Sequence, residues 1–237
     1  MKVLKFGGTS VGSPERMRHV AKLITKESRN VVVLSAMSGT TNTLVEITEY
    51  LYKGNIPGAQ ETVNGLYAKY MTVIEQLLST MQGKARAAAA ITRVFALLRS
   101  YFAELLTEAG EKEILAQGEL MSTALMQCYM EEHGVKSVLL PALDFMRTLD
   151  SGEPDMQHIQ VRLRRLIDLE PDAELFLTQG YICRNDHGGI DNLKRGGSDY
   201  TASILGAVLD AEEIQIWTDI DGMHNNDPRY VEGTKPV

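Results

Sequence analysis

Val3-Leu4-Lys5-Phe6-Gly7-Gly8-Thr9-Ser10-Val11-Gly12-Ser13-Pro14-Glu15, near the start of the chain, changes pattern in a way that decides the fold. Val3 to Phe6 is a short β-type run, ended by a polar turn rich in glycine. Ser13, Pro14 and Glu15 then stand in the order of a helix start: an oxygen-bearing cap, a proline in the first turn, an acid near the positive end. Met17, Val20, Ala21 and Ile24 recur at helical spacing. After Asn30, Val31 to Leu34 is continuously apolar, as in a strand covered on both faces. Strand, glycine-rich turn, helix and buried strand make a βαβ unit, so a parallel sheet is expected.

Working outward, the second strand leads into Ser35–Asn42, a small, polar turn, and then a helix from about Leu44. Beyond Pro57, Tyr67, Tyr70, Met71, Ile74, Leu77, Leu78 and Met81 share a helical face. Gln82-Gly83 breaks that run. Ile91, Val94, Phe95, Leu98, Tyr101, Phe102 and Leu105 form a second face. The pair reads as a helical hairpin serving core or subunit contact. A further helix, about Lys112–Glu132, stops at Gly134 and carries Gly118 inside it. Glycine there costs about 1 kcal/mol relative to alanine, which implies a bend or a close approach. Strands are expected at 138–140, 174–178 and 214–217, with a helix over 157–169. Near the end, Lys194-Arg195-Gly196-Gly197-Ser198-Asp199-Tyr200 opens an apolar helix over 202–209, with Ser198 and Asp199 as cap residues.

The chain has 237 residues, 44% of them hydrophobic and 23% charged, enough for one large α/β domain or two small ones. A net charge of −7 argues against a nucleic-acid partner but leaves room for a small anion at a local positive site. Cys128 and Cys183 are far apart in sequence and read as buried free thiols in a reducing compartment. With no signal-peptide pattern and no apolar run long enough for a membrane span, the expected location is the cytoplasm.

Several loops that follow strands are rich in Gly, Ser, Thr, Asp and Arg, and in a doubly wound parallel sheet such loops share the ligand-binding edge. With Lys5 at the end of the first strand, they point to phosphate chemistry through main-chain N–H groups and a lysine. The spacings match neither a P-loop nor a dinucleotide fingerprint, and the protein-kinase signature is missing. Taken together, Lys5-Phe6-Gly7-Gly8-Thr9-Ser10-Val11, Gly118-Glu119-Leu120-Met121-Ser122, Arg195-Gly196-Gly197-Ser198-Asp199-Tyr200 and Trp217-Thr218-Asp219 resemble the aspartate kinases of the amino-acid kinase family.

The resemblance implies a three-layer αβα sandwich around a mainly parallel sheet, with an inserted helical hairpin. It implies ATP-dependent phosphorylation of the β-carboxylate of L-aspartate, the first step of lysine, threonine and methionine biosynthesis, with ATP and Mg²⁺. Lys5 and Asp199 would be catalytic. Thr41, Glu119, Arg195, Gly196, Gly197 and Ser198 would line the aspartate site, and Lys5, Gly7, Gly8, Thr218, Asp219, His224 and Arg229 the nucleotide side. No resident metal ligand is expected, and a homodimer or higher homo-oligomer is. His224 stands where the family usually has a tyrosine, and Lys194 replaces a more usual glycine. The chain is expected to be an amino-acid kinase catalytic domain over residues 1–237, incomplete at its C-terminal end and without ACT regulatory domains. The alternatives are another activity of the family, on glutamate, N-acetylglutamate, carbamate or UMP, and a substrate-binding or dimerisation fragment without turnover.

Overall fold

The computed structural model describes residues 1–26, 29–194, 196–218, 222, 225–226 and 230–235. Its centre is the expected βαβ unit: β1 (Lys2–Phe6), α1 (Pro14–Ile24) and β2 (Asn30–Leu34). Ser13 caps α1, its side chain accepting from the N–H of Arg16. The other strands of the main sheet are β3 (Ser137–Leu140), β4 (Leu175–Gln179) and, last in the chain, β7 (Glu213–Trp217). The order is β3-β4-β2-β1-β7, and every pairing is parallel. β1 and β2 therefore lie inside the sheet, which is why Val31 to Leu34 read as an unbroken apolar run. Lys5 sits level with Val33 on one side and Ile216 on the other.

Alternation along the strands divides the core into two layers. Leu4, Phe6, Val32, Leu34, Leu175 and Leu177 face helices α1, α2 (Thr40–Tyr52), α3 (Ile56–Leu77), α4 (Met81–Ser100) and α5 (Glu108–Glu132). Val3, Val31, Val33 and Phe176 face the other way, toward α6 (Ala142–Phe145), α7 (Met156–Asp168) and α8 (Gly197–Leu209). This is the expected αβα sandwich. Cys128 and Cys183 are both buried and unpaired. No helix among the described residues is long and apolar enough to cross a membrane.

The helical hairpin is α3 and α4, but its corner lies elsewhere than expected. α3 ends at Leu77, and Thr80 caps α4 by accepting from the N–H of Gly83. Glu132, at the end of α5, accepts from the N–H groups of Ser79 and Thr80, and so fixes the corner. Gln82 and Gly83 are therefore helical, and Met81, in the first turn of α4, is exposed rather than on the apolar face. Leu105 falls outside the second face as well, beyond a 3₁₀ turn at Tyr101–Ala103. Three helices start earlier than expected, α5 among them, at Glu108 instead of about Lys112. α2 begins at Thr40, and α8 begins at Gly197 with Gly196 as its cap, so Ser198 and Asp199 lie in the first turn and do not cap it. A small antiparallel pair, β5 (Ile182–Arg184) and β6 (Ile190–Asn192), was not legible in the sequence. Each of its strands has only three residues, too few for a period to register.

Gly118 marks a close approach. A Cβ at that position would stand 2.7 Å from the Cβ of Ala36, in the turn after β2. Neither atom can rotate away, because both are fixed directly to main chain. Gly118→Ala should therefore lose about 1–2 kcal/mol, overpacking outweighing the roughly 1 kcal/mol of helix preference gained. Thermal unfolding should show a midpoint several degrees lower; an unchanged or raised midpoint would mean that α5 can shift away from the turn.

Candidate functional site

Lys5 is the last polar position of β1, and its side chain is mostly buried. Its ammonium lies 2.6 Å from a carboxylate oxygen of Asp199 in the first turn of α8. The turn after β1 is held to the turn after β2, the N–H of Ser38 donating to the carbonyl of Gly8 at 3.1 Å. From the hairpin, Lys69 donates to the carbonyl of Ser38 at 2.9 Å. Strand ends, α5 and the start of α8 together enclose a cavity of about 540 Å³.

Of the residues singled out from sequence, Lys5, Gly8, Thr41, Glu119, Gly196, Gly197, Ser198 and Asp199 all line this cavity. Lys194 lines it too, as does Tyr181, which belongs to none of the motifs. Tyr181 has a left-handed backbone, with φ 67°, held by its N–H donating to Thr201 Oγ1 and its carbonyl accepting from Leu193. Such a conformation in a bulky residue carries strain of order 1–3 kcal/mol, and nothing in a sequence signals it. Gly7 lies just outside the cavity lining, its N–H turned to the carbonyl of Trp217 at 3.4 Å. Thr218 belongs to a second cavity of about 410 Å³, with Phe6, Thr9, His19 and Trp217, where the Phe6 and Trp217 rings stack at 5.6 Å. Arg195, Asp219, His224 and Arg229 lie outside the described residues.

The charges in the first cavity are arranged in two parts. Glu119 sits on α5 and is almost wholly buried. Its Oε1 accepts from the N–H of Ala36 at 3.2 Å, while its Oε2 has no partner among the described residues. Ser122, one turn on, donates to the carbonyl of Ser35 at 2.7 Å and ties the same helix to the same turn. Burial pushes the Glu119 carboxyl up to about 7, against the pull of the Ala36 hydrogen bond. The second part is cationic: Lys5, Lys194 and the N-terminus of α8, where Gly196 takes φ 80° and no side chain closes over the turn. Free N–H groups and the helix dipole favour an anion there. The cavity can thus take a cation against Glu119 and an oxyanion against α8 and Lys5.

The sequence profile of the amino acid kinase family matches residues 1–237. The chain is 32% identical to lysine-sensitive aspartokinase 3 of Escherichia coli, over 99% of this chain and 52% of that protein. It is 30% identical to an aspartokinase of Chlamydia muridarum, again over 99% of this chain and 52% of the relative. It therefore spans about half the length of these curated relatives. The crystal structure of E. coli aspartokinase III in complex with aspartate and ADP superposes with a TM-score of 0.86 at 31% identity, covering 100% of this chain and 53% of that one.

The raised Glu119 pKa has a consequence for stability. Because the folded protein holds this proton more tightly than the unfolded chain does, the contribution of the group is complete below pH 4.5. It is lost as pH rises toward 7. Above that, the buried carboxylate costs on the order of 3 kcal/mol. Glu119→Gln should thus be more stable than the parent at pH 8, by up to about 3 kcal/mol, and lose most of that advantage at pH 5. Urea unfolding at the two pH values measures it; an equal effect at both would show that Glu119 titrates normally.

Proposed function

From the premise that this chain belongs to the amino acid kinase family, we propose that it carries the substrate site of an aspartokinase, which phosphorylates the β-carboxylate of L-aspartate with ATP. One observation carries the reading. A single cavity contains a buried carboxylate oxygen with no partner among the described residues and, apart from it, a lysine, held by Asp199, beside an open helix N-terminus. That is the charge pattern of a free amino acid. Glu119 Oε2 receives the α-ammonium, and Gly196, Gly197 and Ser198, aided by Arg195, receive the α-carboxylate. Thr41, in the first turn of α2, lines the same space.

The chemistry then needs little from the protein beyond placement. The β-carboxylate is ionised at neutral pH and attacks phosphorus without a general base. A carboxylate O–P bond forms, the bridging O–P bond of ATP breaks, and ADP leaves with the electron pair, giving 4-phospho-L-aspartate. Two anions must be brought into line and their repulsion offset, and the ammonium of Lys5 does this. Asp199 holds that ammonium at 2.6 Å, which orients it. Gly8 and the turn after β1 border the phosphates, with Gly7, Thr218, Asp219, His224 and Arg229 toward the nucleotide.

Mg²⁺ enters with ATP as part of the substrate. Among the described residues the cavity offers no cage of carboxylates for a resident ion: Asp199 is paired with Lys5, and Glu119 is set deep against Ala36. On this reading the reaction stands at the head of lysine, threonine and methionine biosynthesis in the cytoplasm, carried out by a homodimer or larger assembly.

The test is calorimetric titration of the chain with L-aspartate, with L-glutamate in parallel. Aspartate should bind in preference, and Glu119→Ala should weaken it by a factor of about ten or more, the cost of a lost charge-assisted bond. Lys5→Ala should leave aspartate affinity within about threefold while removing phosphoryl transfer. A preference for glutamate would move the protein to a sister activity. Loss of aspartate binding in Lys5→Ala would contradict the division of roles.

A further inference from the structure

On the far side of the sheet from the helical hairpin, a second large cavity of about 530 Å³ lies between α6, α7 and the β5–β6 pair. It shares no lining residue with the first. Its wall carries four arginines, Arg147, Arg162, Arg165 and Arg184, together with His158. Asp144 and Asp186 also line it and Asp155 pairs with Arg147, so one positive charge remains in excess in a chain whose net charge is −7, and Arg162, Arg165 and Arg184 have no carboxylate paired with them among the described residues. We propose that this cavity binds a small polyanion, a phosphate or polycarboxylate compound with at least two negative charges.

Two of the arginines are built into place by the main chain. Residues 147 and 184 pair as an isolated parallel bridge, with the N–H of Arg184 donating to the carbonyl of Met146 and that of Thr148 to the carbonyl of Arg184. Both guanidinium groups are then oriented. Arg184 donates to the carbonyls of Leu143 at 3.0 Å and Gly188 at 2.6 Å, and Arg147 donates through two nitrogens to one oxygen of Asp155. Carbonyls orient Arg184 without neutralising it. The other two, Arg162 and Arg165, stand three residues apart on α7, where like charges repel. Neither has a carboxylate within ion-pair distance among the described residues.

His158 reports the resulting field. Burial and the Arg147 charge both hold its pKa below the usual imidazole value. The four guanidinium groups around one concavity are only partly offset by Asp144, Asp155 and Asp186, which leaves a field that favours an anion. Planar, forked donors suit the oxygens of phosphate and carboxylate better than a lysine cluster would. The volume suits a metabolite, not a macromolecule.

The experiment titrates the chain with pyrophosphate and, separately, citrate at low ionic strength, followed by calorimetry and by the ring signals of His158 in NMR. Lys5→Ala removes the lysine on which a phosphate would compete in the first cavity. Saturable binding should persist in Lys5→Ala, shift the His158 signals, and weaken by a factor of about ten or more in the double variant Arg162→Ala, Arg165→Ala. The melting midpoint of that double variant should match the parent. If it does not, Arg165→Gln alone, at an exposed position, must still weaken binding. Tighter binding of either probe supports the proposal and tells phosphate from polycarboxylate recognition. Binding that is lost in Lys5→Ala but untouched in the arginine variants overturns it, and so does no saturable binding of either probe.

Discussion

The contact between α5 and the turn after β2 governs the geometry of the first cavity. Gly118 brings the helix to within a methyl group of Ala36, and the next residue, Glu119, takes the Ala36 N–H on one of its two carboxylate oxygens. Ser122 adds a bond from the same helix to the carbonyl of Ser35. A Cβ at position 118 would crowd Ala36 and push the helix away from the N–H that Glu119 takes. The arrangement has a cost, since a carboxylate removed from water keeps one oxygen with no partner among the described residues. A buried acceptor left unsatisfied in a polar cavity is unfavourable in the free protein. It becomes favourable once a cation reaches it, so stability given up in the fold is recovered as affinity and selectivity.

The cationic part of the cavity depends on the register of the sheet. β1 lies between β2 and β7 in parallel, so the turns after all three strands open on one edge. Lys5 is carried to that edge with most of its side chain buried, and only a charge partner makes this tolerable. Asp199 supplies one, from a helix whose own N-terminus points positive. The pair also fixes the ammonium in place in the free protein, the preorganisation on which the proposed phosphoryl transfer would draw.

Much of this was legible in the chain itself. The βαβ unit could be read because Ser13, Pro14 and Glu15 mark a helix start and Val31 to Leu34 allow only a fully covered strand. Lys5, Glu119, Gly196, Gly197, Ser198 and Asp199 were found through their motifs, and they converge in one cavity. The hairpin corner was misplaced because glycine at 83 looks like a break, whereas the capping by Thr80 and the bonds from Glu132 are tertiary facts. Likewise the start of α8 was set five residues late: apolar periodicity begins at Ala202, but the helix itself begins where Gly196 can turn left-handed. The left-handed backbone of Tyr181 has no sequence signature at all. The four arginines around the other cavity are scattered from 147 to 184, and only the bridge between residues 147 and 184 brings two of them together.

Net charge is a poor guide to such sites. At −7 the chain as a whole repels anions, yet a Debye length of about 8 Å at physiological salt confines that repulsion to the near surface. Inside a concavity the nearest few groups decide. In one cavity a lysine and a helix N-terminus are set apart from a lone carboxylate, an arrangement suited to a zwitterion. In another, Asp155 holds one of four guanidinium groups and two further aspartates only partly offset the rest, an arrangement suited to an anion with several oxygens. The acidic remainder of the surface acts on both in the same sense. It raises the charge density an anion must meet before it stays, and so disfavours weak, non-specific binding of polyanions elsewhere on the molecule.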